Sequence, residues 1–180
     1  MVELAKLFEE GQGLEKNEEE AFKLLNMAAD AGFQPAFPRL AMCYFSGAGV
    51  KQDYARCLDL VTASSSLGES KFVLSCMYFE GHAVQKDEKK AVELLRESAQ
   101  TCSMAMLSLG SLHLSGQHVE LDEALALSYF KQASDLDLGT CSMLTHLWHC
   151  DVFSLTNFSR VLVSSCASAL WAHALSRHRL

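Results

Sequence analysis

The sequence predicts an all-α fold, a right-handed α-solenoid of about four helix-turn-helix units followed by a degenerate fifth. Three observations lead to this prediction. A pattern centred on glycine recurs at intervals of 36, 34 and 35 residues within the 180-residue chain. Apolar and small residues beside each glycine follow the 3.6-residue period of an α-helix. No stretch shows the sustained alternation and hairpin turns that predict a β-sheet.

The first helix of each unit is predicted to end at the recurring glycine, which suits the left-handed backbone that terminates helices. A leucine precedes the glycine by seven residues, a small residue by six and a ring by three. The leucine and the ring share one helix face because they are four residues apart. The glycines are Gly11, Gly47, Gly81 and Gly116, the leucines Leu4, Leu40, Leu74 and Leu109, and the rings Phe8, Tyr44, Tyr78 and His113.

The second helix is predicted to begin six residues after the glycine, at a side chain that can cap a helix. These caps are Asn17, Asp53, Asp87 and Asp122. An apolar or small stripe follows each cap at helical spacing. A single hairpin cannot bury such a stripe, so we expect the hairpins to stack. The predicted units lie near 1–33, 34–68, 69–102 and 103–137.

The segments LAMCYFSGAGVKQDYARCL and LSCMYFEGHAVQKDEKKAVELL resemble Sel1-like repeats, which are relatives of the tetratricopeptide repeats. The resemblance covers roughly residues 1–137. It implies a superhelical scaffold that assembles protein complexes, usually without catalysis. Some proteins of this family carry a disulfide in each repeat, but Ala29 and Ala36 stand in the equivalent region here. The disulfide-linked branch therefore does not fit, which favours a reducing compartment.

The charge balance excludes one class of partner. Fifteen Lys and Arg against 22 Asp and Glu give a net charge of −7, without the basic footprint of a nucleic-acid-binding protein. The acidic, amphipathic start MVELAKLFEEG has no secretory signal and no transit peptide. We therefore expect a cytoplasmic protein whose partners are other proteins.

The two ends depart from the repeat. Residues 138–180 carry 4 of the 37 formal charges and are predicted to be a degenerate fifth repeat or C-terminal capping helices. The uncharged stretch 161–176 is shorter than the ~20 residues that span a membrane, so tethering is the less favoured alternative. An alternative terminus fits equally. At the other end, both a genuine start at Met1 and a truncation fit the absence of a capping residue.

Sequence motifs for catalysis are lacking, so no catalytic residue, metal ligand or cofactor is predicted. Neither a phosphate-binding G-x-x-x-x-G-K loop nor a G-x-S-x-G motif occurs. His146, His149 and Cys150 have helical spacing, but structural zinc needs four ligands and nothing selects the rest. His82 and His118 fall in turns, where we expect solvation. A regulatory segment of a larger enzyme remains the alternative to a scaffold.

A partner-binding groove is predicted on the first helices, because the resemblance implies that they line a concave surface. Residues nine, five and two positions before the glycine are expected to face it. They form an apolar strip of Pro38, Met42, Phe45, Phe72, Cys76, Phe79, Leu107, Ser111 and Leu114. Such a strip suits an apolar peptide or a helix of another protein. Phe45 and Phe79 fit packing between hairpins equally well.

Overall fold

The computed structural model describes residues 1–11 and 13–136, and within these every regular element is a helix. The helices are α1 (Val2–Glu10), α2 (Glu18–Asp30), α3 (Ala36–Ser46), α4 (Tyr54–Ala63), α5 (Gly68–Glu80), α6 (Glu88–Ser98), α7 (Ser103–Ser115) and α8 (Glu123–Leu136). Consecutive pairs form four hairpins, so the predicted all-α fold of helix-turn-helix units is confirmed. The predicted fifth repeat, with its histidines and Cys150, lies outside the described residues.

All four hairpins close their turn in the same way. The recurring glycine has a positive φ in each, between 66° and 81°. The backbone N–H of the capping residue then donates a hydrogen bond to the carbonyl oxygen of the ring residue in the first helix. These bonds are Asn17 to Phe8 at 3.0 Å, Asp53 to Tyr44 at 2.9 Å, Asp87 to Tyr78 at 3.0 Å and Asp122 to His113 at 3.0 Å. One backbone bond thus fixes where each second helix begins relative to the end of the first.

The four predicted caps act as caps. The side-chain oxygens of Asn17, Asp87 and Asp122 each accept a hydrogen bond from the backbone N–H three residues later, at 3.1, 3.0 and 2.9 Å. Asp53 accepts from both Ala55 and Arg56. Each cap satisfies an amide that the helix itself cannot pair. These caps therefore mark where the four second helices start.

In all four hairpins the small residue of the first helix and three positions along the second-helix segment are buried. The small residue of the first helix lets the two helices of a hairpin approach closely. The second-helix positions are filled by Ala21, Leu25 and Ala28, by Cys57, Val61 and Ser64, by Ala91, Leu95 and Ser98, and by Ala126, Phe130 and Ala133. The leucine position is less regular, because Leu40 and Leu109 are buried while Leu74 is half-buried and Leu4 exposed.

Between residues 1 and 109, successive hairpins stack through the second helix of one and the first helix of the next. The ring of Phe22 on α2 meets the ring of Tyr44 on α3 edge-on, with centroids 5.5 Å apart. Cys57 Sγ on α4 lies 3.7 Å from Met77 Sδ on α5. Ser64, which directly follows α4, and Ser70 on α5 share a 2.7 Å hydroxyl–hydroxyl hydrogen bond. One face of α3 and one face of α5 therefore receive the preceding hairpin.

The chain divides into two compact units after Leu109. In the second unit, Gly110 on α7 provides space for the ring of Phe130 on α8. A Cβ at Gly110 would lie 2.6 Å from Phe130 Cε1. The other hairpins combine Ala or Ser on the first helix with Leu or Val on the second. The largest second-helix residue thus faces the smallest first-helix residue.

Replacing Gly110 with Ala is expected to lower the free energy of unfolding by about 1–3 kcal/mol, because the new methyl group overlaps the ring of Phe130. Adding Phe130→Leu reproduces the alanine–leucine combination of Ala5 and Leu25 in the first hairpin. The double variant should therefore be more stable than Gly110→Ala alone in urea unfolding. If the double variant loses the sum of the two single losses in free energy of unfolding, the two positions do not compete for space.

Candidate protein-binding surface

The nine residues predicted to line the groove differ in their burial. Five are buried, namely Pro38, Phe45, Phe72, Leu107 and Ser111. Four are half-buried and so remain partly accessible, namely Met42, Cys76, Phe79 and Leu114. Ser111 and Leu114 belong to the unit that begins at Gly110. The partner-binding role of the nine residues stays a prediction.

Helix geometry explains why so many of these residues are buried. The positions nine and two before the glycine are seven residues apart and share a helix face. Phe45, at the second of these positions, packs its ring against Tyr54 at 5.7 Å and His82 at 6.1 Å between centroids. The sequence predicts that the Phe72 ring is accessible in the groove, but Phe72 is buried, with 5% of its surface exposed. The position five before the glycine stays partly open at Met42 and Cys76, whereas Ser111 at this position in the fourth hairpin is buried.

The junction of the second and third hairpins contains a ring cluster that the sequence did not predict. The rings of Tyr54 and His82 stack with centroids 4.0 Å apart. Glu80 Oε2 lies 2.7 Å from His82 Nε2. Burial, followed by the charge of Glu80, raises the pKa of Tyr54. His82 is therefore a packing residue, whereas the sequence favoured a solvated turn.

Charged side chains replace the apolar ones on the first helix, α1. Lys6 occupies the position of Met42 and pairs with Glu10 at 3.9 Å. Glu9 occupies the position of Phe45 and pairs with Arg39 at 3.1 Å. Burial raises the pKa of Glu9, and Arg39 opposes that shift. The apolar part of this surface thus begins at α3.

The cysteines in the described part of the chain are free thiols. These are Cys43, Cys57, Cys76 and Cys102, of which Cys76 is half-buried and the others buried. Burial raises the pKa of both Cys43 and Cys57 to about 12. Burial also raises the pKa of Cys102. Such thiols behave as small apolar core residues.

Thiol labelling of the native protein at pH 8 should distinguish these cysteines. A pKa near 12 instead of 9.0 lowers the reactive thiolate fraction by about 10³-fold, and burial blocks access further. Peptide-resolved mass spectrometry should therefore show Cys76 modified well before Cys43 and Cys57, with equal labelling in denaturant. Native labelling of Cys57 as fast as that of Cys76 would contradict the packing against Met77.

Two kinds of site are missing from the residues that the structure describes. No group of three or more His, Cys, Asp or Glu side chains there could hold a metal ion. None of the eight helices is both long and apolar enough to cross a membrane.

The solved structures of two proteins resemble this chain. One is the crystal structure of c5321, a protective antigen of uropathogenic Escherichia coli strains that displays an SLR fold. It matches with a TM-score of 0.52 and 26% identity, over 82% of this chain and 32% of that one. A Sel1 repeat protein from Oxalobacter formigenes matches with a TM-score of 0.54 and 24% identity, over 81% of this chain and 61% of that one. This chain thus spans less than two thirds of either protein.

Comparison with curated protein sequences gives no match. The family model of the Sel1 repeat matches four segments, at residues 1–33, 39–69, 68–100 and 103–138. These segments contain the glycine turns and the capped second helices of the four hairpins. The chain therefore belongs to the Sel1 repeat family, an α-solenoid family whose members generally mediate interactions between proteins.

Proposed function

We propose that this protein is a non-enzymatic scaffold or adaptor that binds a peptide or a helix of another protein on its first helices. The groove surface, as defined here, consists of Met42 on α3 with Cys76 and Phe79 on α5. One observation carries the proposal. Met42 and Cys76 hold the same repeat position on two first helices that pack together, and both remain partly exposed.

The chemistry of the groove surface suits an apolar ligand. Methionine has a flexible, polarizable side chain that adapts to different partners. Packed helices lie about 8–10 Å apart, so a strip across two of them has the width of a partner helix or an extended peptide. The charged pairs of Lys6 with Glu10 and Glu9 with Arg39 lie on the side of the first hairpin. We expect them to set the orientation of the bound segment.

We also propose that the protein works in a reducing compartment, the cytoplasm. The support is that the thiols of Cys43, Cys57 and Cys102 serve as packing residues in the helical core. Thiol counting in denaturant, with and without reductant, tests this part. Equal counts support it, and a lower count without reductant would contradict it.

The binding proposal is tested with the variant Met42→Glu, Cys76→Glu. Phe72 is left unchanged because a charge at that buried position would destabilise the fold. Met27→Glu is the matched control, since Met27 is 57% exposed on α2. Affinity capture followed by mass spectrometry should return the same main partner with the wild type and the control, but not with the double variant.

Circular dichroism on each preparation verifies that the helices are intact. If the double variant unfolds, Met42→Gln removes the apolar contact without adding a charge and takes its place. Retention of the same partner by a folded variant would overturn the proposed groove surface.

A further inference from the structure

Glu80 is a half-buried carboxylate at the edge of the groove surface. It is the last residue of α5 and stands four positions after Cys76, so the two residues share a helix face. The Glu80 side chain is 23% exposed, and its Oε2 lies 2.7 Å from His82 Nε2. Among the residues that the structure describes, no lysine or arginine forms an ion pair with Glu80. A cation from a bound molecule can therefore pair with this carboxylate.

The first hairpin shows which kind of group a glutamate at this repeat position pairs with. Glu10 holds the position of Glu80, directly before the glycine, and Lys6 holds the position of Cys76. Lys6 Nζ lies 3.9 Å from Glu10 Oε1. In the third hairpin Cys76 has a shorter, uncharged side chain that is partly exposed. The ammonium group that α1 places beside its own glutamate therefore has no counterpart on α5.

Two stacked rings lie beside the same carboxylate. The planes of His82 and Tyr54 are 13° apart, and their centroids are 4.0 Å apart. The His82 side chain is 35% exposed, so part of this stack is open to solvent. Burial, followed by the charge of Glu80, raises the pKa of Tyr54, so the field of the carboxylate reaches the stack. A guanidinium group suits this place, because it pairs with a carboxylate through forked N–H donors and stacks on rings.

We propose that Glu80 and the ring of His82 bind an arginine side chain of the protein segment that occupies the groove surface. This inference rests on the proposed function and names the chemistry of the bound segment. The guanidinium group pairs with Glu80 and lies against His82, while an apolar residue of the same segment packs on Met42 and Cys76. Residues four apart on a helix have Cβ atoms about 5–6 Å apart, so the arginine is close to that apolar residue.

Chemical-shift titration of the isotope-labelled full chain with Nα-acetyl-arginine amide tests the arginine site without any partner protein. The ring signals of His82 and the amide signals of Glu80 and His82 are followed at constant ionic strength and pH 8, where histidine is uncharged. One charged contact binds weakly, so the titration extends to about 200 mM. Nα-acetyl-citrulline amide is the control, because it has nearly the same shape without the charge. We expect arginine to shift these signals saturably and citrulline to bind about fivefold more weakly or less.

Glu80→Gln removes the charge and keeps the shape of the side chain, so it should weaken arginine binding about fivefold or more. Glu93→Gln, at an exposed residue of α6, is the matched control and should bind arginine as the wild type does. Capture of the main partner should also fall with Glu80→Gln and not with Glu93→Gln. If Glu80→Gln fails to fold, the comparison of arginine with citrulline on the wild type still decides.

Met42→Gln separates this inference from the proposed function, because it changes the groove surface and leaves Glu80 and His82 in place. It should bind arginine as the wild type does and lose the main partner. Equal binding of arginine and citrulline, or of arginine by the wild type and a folded Glu80→Gln, would overturn the arginine site alone. Unchanged partner capture by Glu80→Gln would overturn its role in partner binding. Unchanged capture by Met42→Gln, with arginine binding intact, would overturn the groove surface instead.

Discussion

Replacing Gly49 with Ala is expected to lower the free energy of unfolding by about 2–5 kcal/mol. Gly49 lies in the turn of the second hairpin with φ +69°, where an L-residue is strained. A Cβ there would also overlap the carbonyl oxygen of Glu18, at the start of α2. Because the obstacle is backbone, the turn must move away from the first hairpin. Urea unfolding followed by circular dichroism measures the loss.

Gly13 provides a matched control for this prediction. It holds the same repeat position in the first turn, with φ +74°, and a Cβ there would meet nothing within 4 Å. Gly13→Ala should therefore show only the backbone strain, about 1–2 kcal/mol. Ala83 already occupies this position in the third turn with φ 55°. Equal losses for the two variants would show that close packing of the turn on α2 contributes nothing.

Replacing Leu95 with Ala is expected to destabilise the protein by about 2–5 kcal/mol. Leu95 on α6 is 1% exposed, so removing its methyl groups leaves a cavity between helices. Leu74→Ala is the comparison, since Leu74 is half-buried and should cost less than half as much. Hairpins of a repeat array interact mainly with their neighbours, so we expect the third hairpin to unfold before the others. Hydrogen exchange in α5 and α6 reports this local loss.

A larger loss at Leu74 than at Leu95 would contradict the observed packing. It would mean that the leucine seven residues before the glycine forms the main core, as the sequence pattern alone indicates. Urea unfolding of both variants under one set of conditions decides between the two.

The helix ends were predictable from the sequence because they depend on local chemistry. A glycine that ends a helix and an aspartate that caps the next act through backbone atoms within a few residues. Gly47 therefore ends α3 and Asp53 caps α4, as the sequence predicts. Features that depend on such short-range contacts can be predicted from the sequence.

Burial on the first helices was less predictable because it depends on neighbouring hairpins. Periodicity shows which residues share a helix face. It does not show which face each neighbouring hairpin covers. Phe72 is consequently buried, while Met42 at a different phase of the helix remains partly open. The stack of Tyr54 on His82 joins different hairpins, and no repeated pattern indicates it. Its only sequence signal is a ring directly after a cap and another after a turn glycine.

The central claim, that the groove surface on α3 and α5 binds another protein, is tested most directly by site-specific photo-crosslinking. A photoreactive amino acid is placed at position 42, and in a separate preparation at position 27 on α2. We expect one main protein to crosslink from position 42. This crosslink should be absent from position 27 and lost when Cys76→Glu is added. Crosslinking of the same protein from position 27 but not from position 42 would contradict it.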